Sequence, residues 1–406
     1  MMGSHRVVIT GLGALSACGA GAEDLWRAAR DGVTGVATCD FERIPDQKVG
    51  HAAFVSDDML AEHAVHVRPR MQDRVSKFAL VAAEEAVQQA GFGADDFGED
   101  FGVIVGSGFG GAQTLDENYW RFYRSEGERM DPLCIPKIMT NAAASWISMT
   151  WGATGPVYCN STACSSAGQS IGLAYQMVKA GIMRACITGG TEACVVPGVF
   201  RAWEFLRVLS ADACRPFSRD RNGMVLGEGA GILVIETLEN ARARGATVLA
   251  EIVGYGTSSD AGDLLRPDPV GAAASMSKAI ADAGVTAADI GYVNAHGTAT
   301  VANDVSEAEA MRRVFGDDFN ALAVSSTKPV HGHALGAAGA LESIVSIGAL
   351  RDQLAPPNLN FSEFDPKVGF EPVVGSARPI KTRFSLSNSF AFGGINASLV
   401  FALPES

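Results

Sequence analysis

Short apolar runs rich in Val and Ile alternate along this chain with segments whose apolar positions recur at helical spacing. "RVVITGLG" (6–13) predicts a strand, followed by a helix around "AEDLWRAARDG". "VSKFALVAAEEAVQQAG" (75–91) predicts a long helix stopped by its closing Gly. "FGVIVGSG" and "VYCNS" predict strands, a helix is expected from about Ser165 to Ala180, and "RACITGG" and "GILVIETL" predict further strands. The pattern then resumes. "VLAEIVGYG" (248–256), "IGYVNAHGT", "LAVSST", "FSLSNSFAFGG" and "INASLVF" read as strands. "GAAASMSKAIADAG", "DVSEAEAMRRVFG" and "GAAGALESIVSIGAL" read as helices between them.

Continuous apolar strands separated by helices predict a mostly parallel sheet covered on both faces. The second run echoes the first, so a duplicated α/β architecture is expected, with halves at 6–254 and 255–406 packed as one body. The segment from about Gly110 to Asn141 breaks the pattern and reads as irregular. It carries Tyr119, Trp120, Phe122 and Tyr123 among Arg121, Arg124 and Arg129. It reads either as a surface excursion with its own small core or as the lining of a site or a subunit interface.

Composition narrows the picture. The 406 residues are 47% hydrophobic but only 8% aromatic, and include 46 Gly, so the elements must approach closely through small side chains. A net charge of −13 argues against a broad nucleic-acid surface. No apolar run reaches the ~20 residues of a membrane helix, and no stretch reads as a secretory leader, so a cytoplasmic protein is expected. The eight cysteines form no C-x-x-C pair, which removes zinc ribbons and thioredoxin-like motifs.

One cysteine stands apart. Cys164, in "CNSTACSSAGQS", lies where a strand gives way to a helix and is flanked by very small residues. A helix N-terminus offers unpaired N–H groups and partial positive charge, which predicts a lowered thiol pKa. Small neighbours leave room for a substrate and let backbone N–H groups approach an oxyanion. His296 in "VNAHGTAT" and His331 and His333 in "SSTKPVHGHALGAAGA" follow strands of the other half. Sites in open α/β folds collect at such strand ends, so these groups can converge. A dinucleotide-binding reading of "GLGALSACGAG" is weaker, because only G-x-G of the G-x-G-x-x-G fingerprint is present.

The motifs "TACSSA", "NAHGTAT", "STKPVHGHALGAAGA" and "NSFAFGGIN", in that order, resemble those of β-ketoacyl-acyl-carrier-protein synthases of the elongating Cys-His-His class. "CRPFSRDRNGMVLGEGAGILVIE" is similar to the family's segment before its second half, and the resemblance runs from about Arg6 to Phe401. It implies a thiolase fold, with two related α/β halves in a five-layered αβαβα core, usually dimeric. It implies Cys164 as the acyl-accepting nucleophile, and His296 and His333 as the pair promoting malonyl decarboxylation. Lys328 is the lysine near the second histidine, read as an electrostatic anchor paired with Glu307. Asp304 and Glu307 support the network. Phe392 is the aromatic gate, its backbone N–H forming an oxyanion hole with that of Cys164. No nucleotide, metal or flavin is implied, since substrates arrive on the phosphopantetheine of an acyl carrier protein.

Some positions depart from the family pattern. Ala391 stands where Gly is usual in the gate loop, and His331 is an extra histidine, read as supporting the site rather than reacting. Phe109 matches the floor of the acyl pocket, where smaller side chains are common, which predicts a short tunnel or one completed by a partner. "TVAND" (300–304) resembles specialised polyketide or nodulation-type synthases. The acidic carrier protein calls for basic residues at the mouth: Arg68, Arg70, Arg74 and Lys77, and from the other side Arg201 and Arg207. His333 stands where initiating Cys-His-Asn synthases offer Asn, which disfavours them. Cys164 disfavours a non-catalytic chain-length factor, although the chain is expected to pair either with itself or with such a Cys-less homologue.

Overall fold

The computed structural model describes residues 5–124 and 129–405. Among these, ten strands form one sheet: β1 (Val7–Ser16), β2 (Phe101–Gly106), β3 (Val157–Tyr158), β4 (Ala185–Glu192), β5 (Gly229–Thr237), β6 (Ala250–Ser259), β7 (Ile290–Asn294), β8 (Ala323–Ser325), β9 (Phe384–Ala391) and β10 (Ile395–Ala402). The order is β8-β7-β9-β10-β6-β1-β5-β4-β2-β3. Each set of five therefore repeats one topology. In the first block β2 pairs parallel with β3 and β4, and β5 pairs antiparallel with β4 and β1. In the second, β7 pairs parallel with β8 and β9, and β10 pairs antiparallel with β9 and β6. The sheet is thus mixed, not mostly parallel as the apolar runs suggested. Burial on both faces makes antiparallel strands as continuously apolar as parallel ones, so composition could not separate them.

The blocks join edge to edge through three antiparallel pairs, Val7 with Ile252, Val8 with Glu251 and Ile9 with Ala250. Seven helices matter here: α1 (Arg74–Ala90), α2 (Ala112–Arg124), α3 (Ser166–Lys179), α4 (Pro197–Leu206), α5 (Pro269–Ala283), α6 (Val301–Phe315) and α7 (Ala338–Asp352). α1 covers the outer face of the first block, and α5 with α6 that of the second. α3 and α7 lie between the blocks and bury a shared apolar cluster that includes Ile171, Tyr175, Leu341 and Val345. The result is five layers, αβαβα. No helix among the described residues is long and apolar enough to cross a membrane.

Glycine pairs record the duplication at atomic scale. A Cβ at Gly11 or Gly13 of β1 would lie 1.9 Å from the backbone oxygen of Ala86 or Ala82 on α1. At Gly254 or Gly256 of β6 it would lie 2.1 or 2.0 Å from that of Ala279 or Ser275 on α5. Each outer helix sits directly on strand backbone. The 110–141 segment is not irregular: it holds α2 and a short helix Cys134–Ile138, while 125–128 lie outside the described residues. The "VYCNS" strand shrinks to Val157–Tyr158 at the sheet edge.

Replacing Gly13 or Gly256 by Ala should destabilise the fold by about 3 kcal/mol, the upper range for overpacking a filled core. Denaturant unfolding of each variant measures it, with a loss below about 0.5 kcal/mol contradicting the close helix–strand packing.

Candidate active site

Past β3 the chain enters a single 3₁₀ turn, Ala163–Ser165, that runs into α3. Ala163 takes φ +50°, a left-handed conformation that a side chain adopts only when its surroundings hold it there. The holding groups are hydroxyls. Ser165 Oγ donates to Thr162 O at 2.9 Å, while Ser166 Oγ accepts from Thr162 N–H at 2.9 Å and donates to Ala163 O at 2.7 Å. The small neighbours of Cys164 have a second role beyond access. A Cβ at Gly106 would lie 2.4 Å from the Ser166 backbone, and one at Gly190 would lie 2.6 Å from Ala167 Cβ and 2.5 Å from Gly336 O. The start of α3 is wedged between β2, β4 and a loop of the second block.

Two imidazoles reach the sulfur from that block. His333 Nε2 lies 3.1 Å from Cys164 Sγ, and the rings of His296 and His333 stand 5.4 Å apart at 82°. Donor atoms of Cys164, His296 and His333 all lie within 4.8 Å of one another. His333 is fixed by its backbone, donating N–H to Val225 O at 2.8 Å and accepting from Gly227 N–H at 3.0 Å. His296 follows β7, and the N–H groups of His296 and Gly297 each donate to Glu307 of α6 at 2.8 Å. Asp304, also on α6, accepts from Phe217 N–H at 2.7 Å and Ala299 N–H at 3.2 Å. His331 contacts Thr327 Oγ1 at 2.9 Å and Gly332 O at 2.8 Å and lies outside the pocket lining, so it is part of the support.

Lys328 does not pair with Glu307. Its ammonium contacts Glu342 of α7, donates to His296 O and lies 3.5 Å from His296 Nδ1; Lys328 and Glu342 are both fully buried. Glu307 is already committed to backbone N–H groups, which leaves Glu342 as the counter-ion. An ammonium can only donate, so this approach places the lone pair of His296 on Nδ1 and its proton on Nε2. Burial, reinforced by Lys328, holds both His296 and His333 far below the usual imidazole range. They are neutral hydrogen-bonding groups at pH 7. Cys, His and His are also metal ligands. A metal, however, would need the Nε2 lone pair of His296 and would sit close to the Lys328 charge, so the trio suits an oxyanion better.

The expected low thiol pKa is not found. Burial pushes the Cys164 thiol up to about 12, with Lys328 opposing and Glu192 and Glu342 adding to the rise. The helix start remains, but the closed pocket and its carboxylates outweigh it. The 3.1 Å contact with His333 accepts the S–H proton in one imidazole tautomer and donates to sulfur in the other.

The pocket holding these groups is walled by Trp203, Val208, Met224, Phe390 and Phe392 and by the 263–267 loop. Phe392 stacks on Trp203 of α4 at 5.9 Å and 24°. It opens the β9–β10 turn, where Gly393 and Gly394 take φ +82° and +68°. Gly393 N–H donates to Leu264 O at 2.8 Å, tying the two loops together. Ala391 remains in β9, paired with Ile395, where a Cβ is tolerated. Phe109 is not at the floor of this pocket. It is 44% exposed in a separate groove with Leu115, Tyr119, Trp120 and Tyr123, while its backbone N–H donates to Glu192.

The basic candidates divide. Arg74 is inside the fold, bonded to Asp57, Glu228 and Val55 O and stacked on Phe78, and so is not free to dock a partner. Arg201 pairs with Asp46 and Glu204, and Lys77 is half-buried. Arg68, Arg70 and Arg207 are exposed.

The family model described as "Beta-ketoacyl synthase, N-terminal domain" matches residues 4–241, and "Beta-ketoacyl synthase, C-terminal domain" matches 249–362. The chain belongs to the β-ketoacyl synthase family. Nodulation protein E of Rhizobium sp. (strain N33) is 41% identical over 401 residues, 98% of this chain and 99% of that protein. A 3-oxoacyl-[acyl-carrier-protein] synthase 2 of Staphylococcus aureus (strain N315) is 39% identical over an alignment of 414 positions that covers 100% of each chain. Among solved structures, the ishigamide ketosynthase/chain length factor superposes with a TM-score of 0.94 at 32% identity, covering 99% of this synthase and 100% of that chain. The synthase is an acyltransferase-type enzyme.

Sequence reasoning missed three contributors: Glu342, Trp203 and Glu192. Glu342 had a signal, being the one acid between Ala338 and Leu350 in a helix apolar on every face. Trp203 had none, since its role arises from stacking on a residue nearly two hundred positions away.

Because the resting thiol is neutral, iodoacetamide alkylation of Cys164 should keep accelerating as pH rises beyond 9. Peptide-mapped rates between pH 6 and 10 measure this, and a plateau below pH 8 would show a low-pKa thiolate instead.

Proposed function

We propose that this synthase condenses a Cys164-bound acyl group with a malonyl thioester carried on acyl carrier protein. The observation that carries the reading is Cys164 Sγ at 3.1 Å from His333 Nε2, with His296 alongside and its Nε2–H set by Lys328. In the first half-reaction Cys164 attacks the acyl thioester. The new Sγ–C bond replaces the bond to phosphopantetheine, and the Cys164 proton reaches the departing thiolate by way of His333. The backbone N–H groups of Cys164 and Phe392 are assigned to the oxyanion of this step.

In the second half-reaction the malonyl C–C bond breaks, CO₂ leaves and charge collects on the thioester oxygen. His296, whose Nε2 proton is set by Lys328, and His333, in the tautomer that carries its proton on Nε2, stabilise that oxygen. The enolate carbon attacks the acyl-cysteine, forming the new C–C bond as the Sγ–acyl bond breaks; Cys164 leaves as a thiolate and takes up one proton from water. Asp304, Glu307 and Lys328 position the imidazoles. No nucleotide, metal or flavin takes part. Reduced thiols and a thioester chemistry suit the cytoplasm.

The exposed groove of Phe109, Leu115, Tyr119, Trp120 and Tyr123 supports pairing with a second subunit, either another copy or a Cys-less chain-length factor. Arg68, Arg70 and Arg207 are assigned to the acidic carrier protein.

Intact-mass analysis with acyl carrier protein loaded with a short acyl chain should show an adduct on Cys164 that is lost in Cys164→Ala. A persisting adduct on that variant would remove the nucleophile from this reading. Reversing charge at Arg68 and Arg207 should weaken carrier-protein affinity at least tenfold at low salt. Unchanged titration curves would reject this face.

A further inference from the structure

Glu192 ends β4 and is fully buried, yet no step above uses it. One carboxylate oxygen accepts from Gly108 N–H at 2.8 Å and Gly336 N–H at 3.0 Å, and the other from Phe109 N–H at 3.1 Å and Ser107 Oγ at 3.4 Å. Gly108 belongs to the loop after β2 and Gly336 to the loop that carries His333, so a single oxygen joins the two blocks. The glycines make this possible: a Cβ at Gly108 would lie 2.8 Å, and one at Gly336 2.6 Å, from that oxygen. Among the described residues, no basic side chain is a hydrogen-bond partner of Glu192. A buried carboxylate without a counter-ion carries a large desolvation cost, so its placement calls for a role. Glu307 does the same for the His296 loop, binding two successive N–H groups.

We propose that Glu192 is a positioning residue that clamps the His333 loop to the 107–109 turn and thereby sets the approach of His333 to Cys164. This rests on the ketosynthase reading. Burial raises Glu192 to about 7, with its N–H donors opposing. Its charge acts on the thiols of Cys159, Cys164 and Cys194, raising each of them. Above its pKa the carboxylate accepts every donor. Protonation below it weakens the clamp, so it contributes an acid limb to acyl transfer.

The test measures acylation of Cys164 by butyryl-pantetheine thioester from pH 5.5 to 9, by intact mass. A wild-type protein that forms no adduct fails the ketosynthase reading itself. Given wild-type acylation, Glu192→Gln should slow it by about 10²-fold, the scale of a misplaced catalytic group, and should flatten the acid limb. A wild-type rate, or a slow variant that keeps the wild-type pH profile, overturns the proposal. Should Glu192→Gln not fold, Ser107→Ala removes one donor to the carboxylate and should move the acid limb to higher pH. An unmoved limb also overturns it.

Discussion

An ammonium sealed at the junction of two β-blocks is the interaction on which the site depends. Lys328 touches Glu342 on the central helix and His296 at the rim of the second block. Removing one partner of a fully buried pair leaves an uncompensated charge and costs roughly 3–5 kcal/mol. That cost ties site chemistry to fold. Lys328 can be stable only where α7 presents Glu342, and His296 presents its Nε2–H only where Lys328 covers Nδ1. The central layer is therefore both the core of the molecule and the electrostatic floor of its pocket.

Duplication explains how such a junction arises. Each block has the same strand order and the same pattern of parallel and antiparallel pairs. Each lays an outer helix on paired glycines of its junction strand. Each then sends one helix, α3 or α7, into the shared middle. Cys164 stands at the start of one, and the His333 loop leads into the other. The sulfur and the imidazole beside it thus come from corresponding regions of the two halves. Close packing holds the meeting point, since Gly106, Gly190 and Gly336 leave no room for a Cβ.

Much of this was legible in the chain. Strand and helix positions and the echo between halves followed from apolar rhythm, Cys164, His296 and His333 from their places at strand ends, and Lys328 from the family resemblance alone. What was not legible depended on distances between remote segments. The parallel or antiparallel sense of β5 and β10 leaves no trace in a strand buried on both faces. The partner of Lys328 was misassigned because Glu307 stood among the acids that the resemblance assigns to the site, whereas Glu342, on α7, lies within a helix that reads as plain apolar core. The resemblance placed Phe109 at the pocket floor, but its side chain lies in another groove, lined by residues of α2.

The raised thiol and the depressed imidazoles have one cause. Excluding water from the pocket penalises every charge in it, so Cys164 resists becoming a thiolate and both histidines resist becoming imidazolium. At rest the three groups are uncharged and linked by weak contacts. In the proposed reaction a thioester in the pocket gives the sulfur's proton a destination in the leaving group, and the dry surroundings then strengthen each N–H aimed at the developing oxyanion. Burial that looks unfavourable for the nucleophile alone is favourable for the transition state. The same environment keeps the sulfur uncharged, and so poorly nucleophilic, until a substrate occupies the pocket.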